Sequence, residues 1–459
     1  MWPILSLALT FTPTADAIEV DTDVDIVASD GDCSLREALE NANLDWDRNP
    51  DCGIIDPDRI TFFIPLKASK VVFLDPGLGQ LRINDDLIIE GFNRGFFTSR
   101  ITVDGQSASR VFDIADLITV TIEDLVVRNA QTTSTGGGIN IGRDAVTSLD
   151  NVRLAGNTAQ FGGGVFSRGQ LTVVDCEFSD NNAVLHGGGL DVIEGTADVT
   201  TSDFTDNSAA EGGGIHVHVN TEFFLRMSTV DNNEATSGGG IAFQSAAAPF
   251  GGDHRIWRST ISNNVAIDGG GLHIAQGTVE LSASTVSNND AETKGGGAFV
   301  DTHGVLVNLN STYTQNHADD GGGIWAVTAF STTLKSTVVA FNTSVGFGST
   351  DWDLGGSTVP SLGFNFIGSE GTLSSTATDQ YGPWYAPLNP MLHPLQRWQP
   401  SDPTETHMPM NTSQVIDQGT SVGGLAPDQR NATRTVIMTS TPADDGTDVG
   451  AVEANRQPA

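Results

Sequence analysis

Positive charge is scarce in this chain of 459 residues. Lys and Arg together number 22 against 57 Asp and Glu, so the formal net charge is −35. The only lysines are Lys67, Lys70, Lys294 and Lys335. Such a field repels nucleic acid and anionic lipid, and we expect neither as a partner. The excess of carboxylates indicates either a solvated acidic surface or turns that bind a divalent cation such as Ca²⁺.

Long apolar runs are also missing. No stretch beyond the N-terminus reaches the roughly 18 apolar residues of a membrane span, so no transmembrane segment is predicted. Residues 1–17 hold an apolar run and end in Ala15-Asp16-Ala17, a small-x-small pattern typical of signal-peptide cleavage. The run has no Lys or Arg before it, and a trimmed or misassigned start explains the segment as well. The prediction is a secreted or cell-surface protein.

Cysteine is nearly absent, with three residues in the chain. Cys33 and Cys52 bracket a short loop rich in Asp, Asn and Pro, and in an exported protein we expect them to form one disulfide. Cys176 is left over at an apolar-alternating position. That pattern favours a small buried core residue over a reactive thiol.

Glycine, by contrast, is abundant and periodic. Gly-Gly-Gly triplets begin at Gly136, Gly162, Gly187, Gly212, Gly238, Gly269, Gly295 and Gly321. The intervals are 26, 25, 25, 26, 31, 26 and 26 residues, and the longest contains a loop insertion at residues 246–252. A period near 25 with β-type residues indicates a β-solenoid coil rather than a helical repeat or a propeller blade. The glycines then supply turns with positive φ and room for neighbouring coils. A phosphate-binding loop would need a following helix and a Lys, which are missing.

Each triplet is followed by an apolar residue and preceded by an apolar-x-x-Asn pattern. Parallel coils stack about 4.8 Å apart, so equivalent asparagines can hydrogen-bond amide to amide in a ladder. The predicted ladder consists of Asn129, Asn157, Asn181, Asn207, Asn233, Asn264, Asn289, Asn316 and Asn342. Asparagine also tolerates the left-handed turn conformation that should follow.

A solenoid needs its exposed end covered. The run from Ser34 to Ala42 favours a helix, and Ser34 with Glu37 makes a capping box at its start. We therefore predict an N-terminal cap at residues 18–59, an all-β solenoid at 60–345 with its triplet repeats at 136–345, and terminal coils with a C-terminal region at 346–459.

Three local resemblances follow. The segment from Cys33 to Asn43, CSLREALENAN, resembles the motif that opens CSLREA-domain proteins, which are exported bacterial and archaeal β-helix proteins. The triplet and apolar-x-x-Asn pair resembles the repeats of polymorphic outer membrane proteins, which are autotransporter adhesins. The tail is similar to the choice-of-anchor Q domain in Ser361–Asn365, Asn389-Pro390, Val415–Gly419, Asp428–Arg430 and Asp448–Glu453. The resemblances imply a right-handed parallel β-helix exported to the cell surface, with adhesion or glycan contact as its role.

Aligned strands place candidate binding residues on the outer face. The first outward positions after the triplets are Asn140, Phe166, Asp191, His216, Ala242, His273, Phe299 and Trp325, and the second include His218 and Asp301. His216 and His218 would lie beside Asp191, as a metal site or acid-base group or as an ordinary solvated strand face. The aromatic residues Phe166, Phe299 and Trp325 could stack on sugar rings, or they are simply tolerated on the surface.

Catalysis has weaker signals. Polysaccharide lyases and hydrolases with this fold need a Ca²⁺-binding acidic cluster with an Arg or Lys base, or paired carboxylates. The best candidates for such a carboxylate pair are Asp319 and Asp320, and they lie in the turn before Gly321. An adhesin-like protein that binds glycans or other surface ligands is the favoured prediction, with no cofactor required. The alternatives are a polysaccharide lyase or glycoside hydrolase and a structural component of the cell envelope, and the oligomeric state stays open.

Overall fold

The computed structural model describes residues 17–53, 58–64, 70–93, 100–218, 221–244, 253–346, 352–421, 427–432, 445 and 447–454. Over these residues the chain is a parallel β-solenoid of about 11 turns with one short helix. The predicted right-handed parallel β-helix class is confirmed. The predicted signal segment up to Asp16 and the loop insertion at 246–252 lie outside the described residues.

The solenoid is built from three parallel sheets, of which sheets A and B extend over most of its length and sheet C over the coils with glycine triplets. Sheet A contains Ile18–Val20, Arg59–Phe62, Leu81–Ile83, Leu87–Asn93, Phe112–Ile114, Thr119–Glu123, Ile139–Ile141, Val146–Asp150, Val165–Ser167, Gln170–Val174, Leu190–Val192, Gly195–Thr200, Ile215–His218, Thr221–Arg226, Ile241–Gln244, Asp253–Trp257, Leu272–Ser282, Ala298–Leu309, Ile324–Ala326, Thr332–Lys335 and Leu354–Gly356. Sheet B contains Val71–Phe73, Ile101–Asp104, Leu125–Arg128, Arg153–Ala155, Glu177–Ser179, Asp203–Thr205, Thr229–Asp231, Thr260–Ser262, Thr285–Ser287, Thr312–Thr314, Val338–Val339, Phe366–Ser369 and Gln380–Gly382. Sheet C contains Thr158–Phe161, Asn182–His186, Ser208–Glu211, Glu234–Ser237, Val265–Asp268, Asp290–Lys294, His317–Ala318 and Thr343–Ser344. Val359–Pro360 and Leu373–Ser374 form a separate pair.

The core is a stack of the apolar residues that follow the triplets. Val165, Leu190 and Ile215 are partners in register on three successive coils, and all are fully buried. Burying each such side chain contributes about 1.5–3 kcal/mol. The alternation of inward apolar and outward variable residues therefore fixes which face of each strand packs into the core of the solenoid.

The triplets are turns between sheet C and sheet A. The first glycine of each triplet has positive φ, as in Gly187 (62°) and Gly212 (63°). The middle glycine has the next coil directly against it, since a Cβ on Gly213 would lie 2.5 Å from the carbonyl oxygens of Glu234 and Gly239. Both reasons for glycine that the sequence suggested, positive φ and close approach, hold in the structure.

A buried amide ladder runs beside these turns. In Asn181, Nδ2 donates to Leu154 O (2.9 Å) and to Asn207 Oδ1 (3.0 Å), so one side chain joins three coils. The same amide-to-amide bond links Asn157, Asn181, Asn207, Asn233, Asn264, Asn289, Asn316 and Asn342. The residue before each rung, not the one after it, has positive φ, as in Asp180 and Asp206.

Asn129 was predicted as the first rung and is not one. It is exposed, has positive φ, and donates from Nδ2 to Asp104 Oδ2. The rung position on that coil is occupied by Ala130, whose backbone N–H donates to Asn157 Oδ1. The two coils pair with Leu154 opposite Val127, so the sequence pattern placed the asparagine one residue too early.

A carboxylate ends the ladder. Asn342 donates to Asp353 Oδ1 from both Nδ2 (2.9 Å) and its backbone N–H (3.1 Å), and Ser369 N donates to Oδ2. Asp353 is 2 % exposed. Burial raises its pKa to about 7, although these hydrogen bonds act in the opposite direction.

This pKa makes stability depend on pH with a defined sign. Between about pH 4 and pH 7 the folded state keeps a proton on Asp353 that the unfolded chain loses, so the contribution is complete below pH 4 and is lost as pH rises through 7. We expect Asp353→Asn, which does not titrate, to gain up to about 4 kcal/mol relative to the natural chain between pH 4 and pH 8. Urea unfolding followed by circular dichroism at several pH values measures the difference. Parallel pH profiles for the two proteins would contradict it, and Asp47→Asn at an exposed position is the control.

The N-terminal cap has the predicted helix, Leu35–Ala42, with Ser34 and Glu37 in a reciprocal capping box. The predicted disulfide Cys33–Cys52 is present. Cys176 is buried, and burial raises the pKa of its thiol to about 12, so it is a core residue as expected.

The C-terminal region lies along the outer face of sheet B. Gln429 is fully buried there, donating from Nε2 to Ser259 O (3.0 Å) and accepting from Thr285 Oγ1 (2.7 Å). His407 Nε2 lies 2.7 Å from Oγ of Ser287, which is two residues beyond Thr285 on the same strand. The tail motifs therefore hold the chain onto its own solenoid. In the whole part of the chain that the structure describes, no helix is long and apolar enough to cross a membrane.

Candidate metal centre

The candidate site lies in the corner between sheet C and sheet A. The strands Asn182–His186 and Ser208–Glu211 of sheet C run into glycine triplets, and Leu190–Val192 and Ile215–His218 of sheet A begin directly after them. Because the glycines have no side chains, the residue before each triplet and the first outward residue after it face each other across the turn.

Asp191 and His216 form the buried floor of this site. They are register partners on adjacent coils, and both side chains are 0 % exposed. His216 Nδ1 lies 3.0 Å from Asp191 Oδ1. His218, two residues along the same strand face, brings Nε2 to 3.1 Å from the same oxygen.

His186 closes the corner from sheet C. Its ring stacks on that of His216 with centroids 4.4 Å apart, and it meets His218 edge-on at 5.0 Å. The Phe161 ring covers His186 from the preceding coil at 5.3 Å. On the other side Glu211 Oε2 lies 3.5 Å from His216 Nε2 and accepts a hydrogen bond from Gln244.

Several buried polar atoms of this cluster have no hydrogen-bond partner. They are His186 Nδ1, Asp191 Oδ2, His216 Nε2 and His218 Nε2. The last atom is close to Asp191 but is not directed at it for a hydrogen bond. One ligand atom from each of the four residues lies within 4.8 Å of the other three. Unpaired buried polar atoms cost about 1–3 kcal/mol each, so their convergence indicates a ligand that pairs them.

The charges of the cluster are coupled. Burial raises the pKa of Asp191, but the hydrogen bond from His216 and the close approach of His218 outweigh that effect and bring the value to about 2. Burial lowers the pKa of His216, yet the carboxylates of Asp191 and Glu211 hold it above its ordinary value. His186 has a lowered pKa because of burial and the nearby His216 charge. Asp191 is thus a carboxylate that needs a buried positive charge, from imidazolium or from a metal ion.

The predicted column of outward residues is found in the structure. Asn140, Phe166, Asp191, His216, Ala242, His273, Phe299 and Trp325 are successive register partners. The alternative of a solvated strand face is wrong for Asp191 and His216, which are fully buried.

The other predicted binding residues lie outside the cluster. His273 is separated from His216 by Ala242 and stacks on Phe299 at 5.1 Å. Phe166 and Phe299 are only 6 % and 9 % exposed, so they offer little ring surface to a sugar.

Trp325 is partly exposed under the Lys294 ammonium at 5.3 Å, and Asp301 accepts hydrogen bonds from Thr302. Neither side chain is among the four residues that can share a metal ion. Binding by these residues stays a prediction.

Sequence reasoning missed His186 and Glu211. Only the positions after the triplets were aligned, whereas the positions before them form the facing column. That column consists of Thr135, Phe161, His186, Glu211, Ser237, Asp268, Lys294 and Asp320. The signal was present in the sequence, but its meaning depends on the angle of the glycine turn.

Comparisons of the chain with protein-family models, with curated proteins and with solved structures found no match.

Proposed function

We propose that this chain is an exported β-helix that binds one transition-metal ion of the zinc class at His186, Asp191, His216 and His218. The observation that carries the proposal is the convergence, within 4.8 Å, of ligand atoms from four side chains that each have a buried polar atom without a partner. They come from two adjacent coils, so the ion would join coil to coil and sheet C to sheet A.

The donor set selects the class of metal. Three imidazoles and one carboxylate suit Zn²⁺, Cu²⁺ or Ni²⁺, whereas Ca²⁺ needs six to eight oxygen ligands. The Ca²⁺ suggested by the acidic composition is therefore not favoured at this centre. In a tetrahedral zinc site the bonds are about 2.0–2.1 Å, which places ligand atoms a little over 3 Å apart. Small side-chain rotations would bring the four residues to that spacing.

The coordination number indicates the role of the ion. Four protein ligands fill a tetrahedral shell, as in structural rather than catalytic zinc sites. Glu211, whose Oε2 lies 3.5 Å from His216, adds a negative charge beside the cluster. We therefore propose a binding and bracing role and no hydrolytic step.

Export is proposed on separate grounds. The Cys33–Cys52 disulfide is typical of an oxidising compartment outside the cytosol. The sequence motifs also support a secreted or cell-surface location, and an adhesin-like role at that surface is proposed on those motifs alone.

Metal titration tests the function directly. We expect the chain without an affinity tag, after treatment with a chelator, to bind one equivalent of Zn²⁺, and Co²⁺ to give the visible absorption of a four-coordinate site. His216→Ala should weaken binding by more than the roughly 10- to 100-fold that loss of a second-shell partner costs. Calorimetry and metal analysis after gel filtration measure affinity and stoichiometry.

His317→Ala is the matched control. His317 Nδ1 lies 2.7 Å from Asp290 Oδ1, so the chain offers a second His–Asp pair on adjacent coils, but an exposed one with two members. This variant should bind zinc like the natural chain. Equal losses in both variants, or a natural chain that stays metal-free, would show that the cluster is a buried ion network around a protonated His216.

A further inference from the structure

Two adjoining cavities lie on the first coils of the solenoid, far from the corner centre in sequence, and the smaller of them is also lined by the N-terminal helix. Their volumes are about 360 Å³ and about 690 Å³. Both are lined by Leu78, Gln80 and Arg82, so Arg82 stands at the boundary between them. The larger cavity has the size of a site for a small molecule.

The charge of these cavities is opposite to that of the chain. They are lined by four arginines, Arg36, Arg48, Arg82 and Arg110. Glu40 is the one carboxylate of the smaller cavity, and no carboxylate lines the larger one. In a protein with 57 acidic and 22 basic residues, such a surface is a local exception.

The arginines other than Arg82 are already engaged. Arg36 holds Asp25 through two hydrogen bonds of 2.8 Å, and Arg48 lies 3.5 Å from Glu40. Arg110 donates to Gln80 Oε1, to Asp113 and to two backbone carbonyls. These bonds fix the cavity wall in place before any ligand arrives.

The carboxylate nearest to Arg82 in register, that of Asp113, is already bonded to other donors. Arg82 is exposed and lies in register with Asp113 on the next coil. Asp113 Oδ1 already accepts from Arg110 and from Asn140 (both 2.9 Å), and Oδ2 accepts from Gln80 Nε2 (2.7 Å). Among the described residues no hydrogen bond or ion pair of the Arg82 guanidinium is found.

The field of Arg82 is felt by its neighbour. Burial lowers the pKa of Arg110, Asp113 opposes that effect, and the positive charge of Arg82 lowers the pKa further. An unpaired guanidinium beside a rigid wall can hold a carboxylate through two parallel hydrogen bonds.

We propose that these cavities bind an acidic sugar, with its carboxylate on Arg82. Polar groups for hydroxyls line the cavities at Asn84, Ser107, Gln131 and Thr133, and the exposed side chain of Leu78 offers an apolar face for the ring. Among the described residues Arg82 has no partner, and its guanidinium can hold one carboxylate. The site does not depend on the proposed metal centre.

Binding of galacturonate and digalacturonate, compared with the methyl ester of galacturonate, tests the proposal by calorimetry or ligand-observed NMR. We expect millimolar or tighter affinity for the acids, weaker binding as salt rises, and no binding of the neutral ester. Arg82→Ala should weaken binding by about tenfold or more, and Arg82→Lys should recover part of it.

Arg153→Ala is the control, because Arg153 is an equally exposed strand arginine that pairs with Glu177 at 3.4 Å away from these cavities. It should bind like the natural chain. Since Arg82 is exposed and has no partner in the described part of the chain, its variant should fold, which circular dichroism checks. Equal affinity for acid and ester, unchanged affinity in Arg82→Ala, or no binding of either acid at millimolar concentration would overturn the proposal.

Discussion

Gly213→Val is expected to prevent the solenoid from folding. The middle glycine of the triplet packs against backbone of the following coil, and a Cβ there would lie 2.5 Å from the carbonyl oxygens of Glu234 and Gly239. Backbone atoms cannot rotate away as a side chain can, and Gly213 N–H also donates to Gly238 O. We expect a loss of more than about 4 kcal/mol, seen as insoluble protein or as a collapse of the urea midpoint.

Gly77→Ala is the matched control for this experiment. A Cβ on Gly77 would meet only Asp75 Oδ1, the end of a side chain, at 3.1 Å. Its backbone also lacks the positive φ that penalises other residues. The change should alter stability by less than about 1 kcal/mol. A folded Gly213→Val protein as stable as Gly77→Ala would contradict the close-approach argument.

Asn181→Ala is expected to cost about 4 kcal/mol or more of unfolding free energy. The side chain donates to Leu154 O and Asn207 Oδ1, and its Oδ1 accepts from the backbone N–H (3.1 Å) and Nδ2 (3.0 Å) of Asn157. Alanine removes all four bonds and leaves buried donors and acceptors on both neighbouring coils, each costing about 1–3 kcal/mol. Urea unfolding followed by circular dichroism measures the loss.

The adjacent asparagine provides the comparison. Asn182 is exposed, and its Nδ2 donates to Ser208 Oγ on the next coil. Asn182→Ala should change stability by less than about 1 kcal/mol, because water replaces the lost partner. If the two variants were equally stable, the ladder would contribute no more than an ordinary surface hydrogen bond.

Periodicity made much of the fold predictable. The glycine interval fixed the coil, and with it the register that places Asp191 beside His216 and His273 two coils away. Capping of the helix at Ser34 was predictable for a similar reason, since it depends on residues three apart. Features that repeat or are local leave a pattern in the sequence.

Features that depend on how the coil bends were not predictable. The alternation correctly predicts that Phe166 and His216 point away from the core. They are nevertheless buried, because sheet C meets sheet A at an angle that brings its side chains over this face. The same angle brings His186 over the ring of His216. That Arg82 lacks a partner among the described residues likewise follows from competition for Asp113 by Gln80, Arg110 and Asn140 on three successive coils, which no local pattern records.

The near-constant spacing of the triplets also bears on how the protein can evolve. Each rung of the ladder meets an almost identical rung above and below, so a duplicated or deleted stretch of 25 or 26 residues would rejoin the stack in register. The rod would change its length by about 4.8 Å per event at little cost. The corner is one exception, because His186 and His218 belong to consecutive coils and a coil inserted between them would separate the cluster. The coils under the C-terminal region are another, because a change there would shift the contacts of Gln429 with Ser259 and Thr285. Such events are therefore tolerated best on the coils that carry neither feature.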